Sequence, residues 1–431
     1  MKRHFLASLV ALSTSVSTLA AIPAIAQTAE ETARLEQRGD DILASMEGTA
    51  EYDAVFADVF VNAVSETRFL AIKDQLEAQF GPLVGVETLD PVSANGATIG
   101  IRLERGLASG SFTLETSAPY EVTGFVLNDV RPIGDTAEQL LSDIQELPGE
   151  TGVLVTRLGA AEPLLSHNPD GQFAIGSTFK LYVLSALAHS IAAGERNWDD
   201  VVTLTQRSYP SGQLQDWPQG APITLHSLAT LMISNSDNTA TDQLIVELGR
   251  DAVEAEVIAA GHANPDDTFP FLTTREMFML KSGGSENLGK YAAAGTAERL
   301  AVLQELAALD RSAQDVQTAF SGGPVAIDVE WIASAYDIAR LFERMITLED
   351  ETALDIMAVS PSMSEGMRES WDYVGYKGGS EPGVLNLSWL LRDAAGEWIA
   401  VSMSWNDSAA PVQENAFEML AMRAISLASM D

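Results

Sequence analysis

The sequence predicts a two-domain chain of mixed helix and sheet. An α+β unit comes first, and a larger domain follows whose sheet is assembled from both of its ends. Three observations carry this expectation. At 431 residues the chain exceeds what one ordinary core encloses. Its apolar spacing is helical up to about residue 80 and then changes to alternation, which puts helices before an antiparallel sheet. From about Asp135 the pattern restarts, with strand-like segments at 152–157 and 385–405 and a long helical stretch between them.

Taken in order, the first segment is a processing signal. Lys2 and Arg3 precede an apolar stretch from Phe5 to Ile22, and Ala24-Ile25-Ala26 supplies small residues before Gln27. That pattern predicts cleavage after Ala26 and a periplasmic or secreted protein. The apolar run is short and is broken by serines and Pro23, so stable membrane insertion is not expected. Residues 29–80 place Leu35, Ile42, Leu43, Val55, Phe56, Phe60, Phe69 and Leu76 at helical spacing. Thr98–Leu103, Ser111–Leu114 and Pro119–Val130 then alternate as strands, and Arg131–Asp135 forms the exit. In the second part a helix over Ala137–Gln145 leads to a strand over Gly152–Arg157, and a further strand ends at the turn Asn168-Pro169-Asp170-Gly171. A helical region opens at Ser177. Strands over Leu385–Arg392 and Trp398–Trp405 flank the hairpin signal Asp393–Glu397, and a last amphipathic helix holds Phe417, Leu420 and Ile425.

Composition excludes several functions. The chain has no cysteine, so disulfides and thiolate chemistry are absent. Its formal net charge is −36, or −38 once Lys2 and Arg3 leave with the signal. Such a surface repels nucleic acid and anionic lipid. Metal-ligand spacing and a glycine-rich nucleotide loop are both missing, so no metal or other cofactor is expected. His167, His189, His226 and His262 are isolated and read as structural residues.

Three short motifs carry the chemistry. In Ser177-Thr178-Phe179-Lys180 the serine and lysine share a helix face, and a buried lysine can take the serine proton. Ser236-Asp237-Asn238 follows; Ser236 can relay a proton to a leaving group, Asn238 can hold a substrate carbonyl and Lys180, and Asp237 fixes the loop. In Lys377-Gly378-Gly379-Ser380 the lysine acts electrostatically, Gly379 lets a substrate lie against a strand, and the Ser380 N–H can donate to an oxyanion. In this order the set describes acyl transfer by a serine activated through lysine.

The set resembles the class A β-lactamase and penicillin-binding protein superfamily, which carries S-x-x-K, S-D-N and K-T-G in this order. The resemblance implies Ser177, Lys180, Ser236 and Lys377 as catalytic residues and Asn238, Gly379 and Ser380 as substrate-binding ones. The first domain is similar to a steroid-isomerase-like (NTF2-like) domain. The resulting plan is a signal peptide over 1–26, an NTF2-like domain over 27–135, and a β-lactamase/transpeptidase-like domain over 136–431 with an antiparallel sheet flanked by helices plus an all-helical lobe. The implied partner is a small-molecule ester or β-lactam-like substrate. The resemblance leaves open a penicillin-binding sensor or D,D-peptidase-like protein, and the oligomeric state.

The chain departs from that family in three places. No E-x-x-L-N motif lies between Asn238 and Lys377, and Glu276 in Thr273-x-x-Glu276 reads as a helix-capping residue rather than a deacylating base. Gly378 stands where the family has threonine or serine, no cation follows before Arg392, and Glu381 is expected to repel a carboxylate. The stretch Ser282–Pro324 reads as a surface insertion, with a lid or a channel wall as the other reading.

Overall fold

The computed structural model describes residues 28–282, 285–307, 309 and 312–429. The expected signal peptide and its cleavage site lie outside them. The chain divides into two compact units, Met1–Thr136 with Ser364–Met367, and Ala137–Met363 with Arg368–Asp431.

The first unit opens with four helices, α1 (Ala29–Met46), α2 (Tyr52–Val55), α3 (Asp58–Ala63) and α4 (Glu66–Phe80). Thr28 and Glu31 close a capping box on α1, and the Ser65 hydroxyl accepts the Arg68 N–H at the start of α4. Four strands follow, β1 (Leu83–Ser93), β2 (Gly96–Leu103), β3 (Gly106–Leu114) and β4 (Val122–Pro132), paired antiparallel in sequence order. Gly39 brings α1 down onto Leu89 and Ile99; a larger residue there would meet the Leu89 side chain. An aromatic cluster fills the remaining core: Phe56 stacks on Phe60 with ring centroids 4.6 Å apart and meets Phe69 edge-on at 5.1 Å. Each such pair adds about 0.5–1.5 kcal/mol beyond area burial.

The second unit begins with α5 (Ala137–Gln145), β5 (Glu150–Arg157), β6 (Leu165–His167) and β7 (Phe173–Ala174). A helical region then runs through α6 (Lys180–Ala192), the short strands β8 (Val201–Thr203) and β9 (Pro222–Thr224), α7 (Leu225–Ser234), α8 (Asn238–Leu248) and α9 (Arg250–Ala259). Next come α10 (Thr274–Ser282), α11 (Ser285–Ala293), α12 (Thr296–Ala307) and α13 (Ala313–Phe320). The chain returns by β10 (Ile332–Ala333), α14 (Ala335–Met345) and α15 (Thr352–Ala358), passes through α16 (Glu365–Arg368), which up to Met367 counts with the first unit, and continues to β11 (Tyr373–Glu381), β12 (Val384–Arg392), β13 (Trp398–Asn406) and α17 (Glu414–Ala428).

One antiparallel sheet, ordered β11-β12-β13-β5-β6, joins both ends of this unit and leaves β11 at its edge. Alternation gives the sheet two different faces. Trp389, Met403 and Trp405 point to one, where Phe417 of α17 meets Trp405 at 5.7 Å. Ser388, Asn386, Ser402 and Ser404 share the other with Lys377 and form a buried hydrogen-bonded ladder. Helix α6 is buried at every position from Lys180 to Ala188, which is why its sequence is apolar nearly all round. Among the described residues, no helix is long and apolar enough to cross a membrane.

Candidate active site

The first motif is held by backbone pairing below it and by aromatic packing around it. Strand β7 pairs with β10, and the Ile175 N–H donates to the Trp331 carbonyl at 3.1 Å. Gly176 then turns the chain with φ +49°, a conformation that favours glycine. Residues Gly176–Phe179 form one 3₁₀ turn before α6, so the expected helix opens more tightly than an α-helix. Phe179 stacks on Trp331 with centroids 3.5 Å apart and meets Phe271 edge-on at 5.7 Å. Ser177 is half-buried and Lys180 is fully buried.

The second motif meets the first through Lys180. Its Nζ donates to the Ser236 carbonyl at 2.8 Å, the Ser236 Oγ at 3.0 Å and the Asn238 Oδ1 at 2.7 Å. Ser236 adopts φ +51°, which presents its carbonyl and hydroxyl to the same Nζ. Asp237 does what its place in the motif suggested. Oδ1 accepts the Ala240 N–H at 2.8 Å and caps α8, while Oδ2 accepts the Gln213 and Leu214 N–H groups at 2.6 and 2.9 Å. The segment 209–216 is thereby tied to the motif, and its Tyr209 carbonyl and Ser211 hydroxyl bond the Asn238 amide and the Ser236 carbonyl.

The third motif lies in the middle of β11, the edge strand. Lys377 is buried and donates to the Gly378 carbonyl. Gly379 and Gly176 are the points of closest approach between β11 and the serine turn. A Cβ on Gly379 would lie 2.6 Å from the Gly176 carbonyl carbon and closer still to the Ser177 nitrogen; one on Gly176 would lie 2.9 Å from the Ser380 nitrogen. No real side chain fits either gap. The Ser177 and Ser380 backbone N–H groups thus sit on adjoining segments, where two donors can converge on a developing oxyanion. Ser380 itself is exposed.

The departures have physical explanations. Gly378 shares a face with Tyr376, and a Cβ at 378 would lie 2.8 Å from the Tyr376 Cζ and nearer to its hydroxyl. The Tyr376 ring, packed 4.6 Å from Trp389, occupies the space that a threonine would need. Leu387 stands opposite Gly378 on β12, so this wall offers no cation. Glu381 was expected to repel an anionic substrate. Instead its carboxyl pairs with Lys281 of α10 on the face that carries Lys377 and Gly379, with its side chain 9% exposed. Glu276 is a capping residue: its carboxylate accepts the Thr273 N–H at 2.8 Å and pairs with Arg250 at 2.6 Å.

The described part of 282–324 holds α11, α12 and α13, and Met279 and Phe278 of α10 pack with Val316 and Phe320 of α13 around Tyr209. His262 has both ring nitrogens engaged, Nδ1 accepting from the Asn264 N–H and Nε2 donating to the Ile332 carbonyl. Sequence reasoning missed Lys281, Glu330 and Asp242. Lys281 and Asp242 left one local signal, a charged residue inside an apolar helical stretch.

A model of the beta-lactamase enzyme family matches residues 135–358, just over half of the chain. Among solved structures, a beta-lactamase from Sphaerobacter thermophilus DSM 20745 is 21% identical with a TM-score of 0.47, covering 68% of this chain and 97% of its own. One from Chitinophaga pinensis DSM 2588 is 17% identical at a TM-score of 0.47, covering 69% and 100%. PBP-A is 16% identical at 0.47, covering 68% and 94%. No curated protein matches the chain. On the strength of the family match, the chain belongs to the beta-lactamase enzyme family.

Proposed function

We propose that the protein is a serine hydrolase that forms an acyl-enzyme at Ser177 and acts on a neutral ester or a strained, β-lactam-like amide. The observation that carries this reading is Lys180 Nζ, buried between the Ser236 hydroxyl and the Asn238 amide, one turn from Ser177. With Lys180 in its neutral amine form, Ser177 Oγ attacks the carbonyl carbon and its proton passes to Nζ, which becomes the ammonium. The carbonyl oxygen becomes an oxyanion facing the Ser177 and Ser380 N–H groups. As the tetrahedral centre collapses, the proton moves from Lys180 through Ser236 Oγ to the leaving alkoxide or amide nitrogen. Water then releases the acid. Asn238 and the Gly379 backbone hold the substrate, and Lys377 adds positive charge near the leaving group.

A neutral substrate draws support from position 378, where glycine beside the Tyr376 ring replaces the family's hydroxyl, and from the lack of a lysine or arginine between Gly379 and Arg392. A second reading, a penicillin-binding sensor or D,D-peptidase-like protein that acylates with little turnover, draws support from Glu276, whose carboxylate is consumed by Arg250 and the helix cap. We also infer export from the Lys2–Ala26 signal pattern, and an NTF2-like character for residues 27–135 from the order of four helices before a four-stranded antiparallel sheet.

The test compares wild type with Ser177→Ala on a short-chain nitrophenyl ester, a chromogenic cephalosporin and a fluorescent penicillin, followed by intact mass. Ester turnover that vanishes in Ser177→Ala supports the hydrolase. A stable penicillin adduct without turnover supports the sensor. Ester turnover unchanged in Ser177→Ala refutes Ser177 as nucleophile.

A further inference from the structure

Beneath the serine turn lies a buried charge cluster that the acylation steps do not use. Glu330, two residues before β10, is 4% exposed. Its Oε1 accepts the Gly176 N–H at 2.7 Å, one residue before Ser177. Its Oε2 pairs with Lys281 Nζ at 3.0 Å. The same ammonium pairs with Glu381, one residue after Ser380. Both backbone segments that bring donors to the oxyanion position are therefore tied to one lysine on α10.

We propose that the Lys281–Glu330–Glu381 cluster is a positioning element that sets the separation and orientation of the Ser177 and Ser380 N–H groups. The inference rests on the acyl-transfer reading of Ser177. The two segments touch through backbone alone, at Gly176 and Gly379, so no side chain between them can hold the spacing. Something outside the gap must do so, and the cluster grips both sides: Glu330 from below the serine turn, Glu381 from the edge strand, Lys281 between. Oxyanion donors are effective only at a fixed distance from the developing charge, so a small splay is felt as lost rate.

The charge count supports this role. Burial, and then the Glu330 charge, push the Glu381 carboxyl well above its ordinary range. Burial acts to lower Lys281, but the two carboxyl groups outweigh it and keep the ammonium charged. Glu381 Oε2 is buried with no N–H or O–H donor beside it, while its carboxyl and that of Glu330 face each other closely enough to share a proton. With Lys281 charged and the Glu381 carboxyl favouring its protonated form, the cluster holds at most one carboxylate against one ammonium. It can hold the backbone without placing net negative charge under an oxyanion.

The test measures nitrophenyl acetate hydrolysis and inhibition by phenylboronic acid, whose serine adduct is a tetrahedral anion, for full-length Lys281→Met, Glu330→Ala and Glu381→Gln. For the first two, kcat falls about 10- to 100-fold with KM within about twofold, as expected when reacting groups are displaced by a fraction of an ångström to one ångström. Boronic acid affinity falls by the same factor as kcat. Glu381→Gln mimics a neutral carboxyl and keeps at least about half of kcat. If Lys281→Met does not fold by near-UV circular dichroism, Lys281→Arg and Glu330→Asp replace it; they keep charge, change reach, and show the same parallel loss. Unchanged kcat and boronic acid affinity in folded variants overturn the proposal, as does a loss confined to melting temperature. Ser177→Ala separates the two readings. Turnover surviving there refutes the nucleophile; turnover lost there but indifferent to the cluster refutes the positioning role alone.

Discussion

Restoring a side chain at position 378 is the sharpest test of why this strand departs from the family pattern. In Gly378→Ala the new Cβ lies 2.8 Å from the Tyr376 Cζ and nearer to the hydroxyl, with the Asn386 carbonyl at 3.3 Å on another side. The methyl cannot move toward the backbone, so the ring must. Tyr376 is 8% exposed and packed on Trp389 at 4.6 Å. Displacing it adds about 1–3 kcal/mol of overpacking to about 0.5–1.5 kcal/mol of lost ring contact. Gly378→Ala alone should therefore cost roughly 2–4 kcal/mol. Tyr376→Phe removes the hydroxyl but leaves Cζ, so it should relieve only part of this. In Tyr376→Ala the extra methyl enters the vacated space and should be neutral or stabilising. The coupling energy from the cycle is expected at about 2 kcal/mol or more. All seven tryptophans lie in the second unit, so their fluorescence during urea titration reads that unit alone. Additivity within about 0.5 kcal/mol would show that Tyr376 is not what excludes a side chain at 378.

Gly379→Ala should drive β11 away from the serine turn, because its Cβ lies 2.6 Å from the Gly176 carbonyl carbon; ester hydrolysis should fall at least about 100-fold, and activity near wild type would refute the close approach. Asp237→Ala leaves the Gln213, Leu214 and Ala240 N–H groups without their acceptor. It should cost about 3–5 kcal/mol in urea titration, with partial recovery in Asp237→Asn; a loss below about 1 kcal/mol contradicts that assignment.

Asp242 supplies a pH test. Burial, only partly offset by the Arg275 and Thr274 N–H groups, raises its carboxyl from 3.8 to about 6. The folded state then favours the protonated form, so its stabilising contribution is full below pH 3.8 and is lost as pH rises through about 6. Wild-type stability minus that of Asp242→Asn should grow by about 2.4 kcal/mol from pH 7 to pH 4. A flat or opposite trend refutes it.

What could be read from sequence was whatever a local rule governs. The helix over Ala137–Gln145 and the strands ending at Arg392 and Asn406 obey periodicity, and each motif obeys a spacing along one element. Asp237 as a loop anchor followed from the chemistry of a short acid at a helix start. The misjudged residues depend on partners far along the chain. Glu381 looked repulsive because a charge read alone has only a sign; its meaning changes once Lys281, one hundred residues earlier, reaches it. Gly378 read only as a missing threonine or serine, although its cause sits two residues away. Strand alternation puts Tyr376 on the same face, but only the ring's lie along the strand shows that it fills the gap. The 3₁₀ opening at Ser177 was hidden because Gly176 is set by contact with Gly379, which no local rule contains.

The helices α11 to α13 have one more consequence. Both ends of this excursion are pinned: Asp242 bonds the Thr274 and Arg275 N–H groups at the start of α10, and Trp331 is locked against Phe179 where the chain returns. The chain between two pinned ends can grow or shrink at little thermodynamic expense, since doubling a flexible loop adds only about 0.6 kcal/mol. Length can vary there only where the core is spared: Tyr291, Leu303 and Leu306 share a core with Phe179, and Lys281 and Glu330 grip the serine turn. The excursion is therefore part of the support beneath Ser177 as well as an addition to the chain, and any graft into it must keep those five residues.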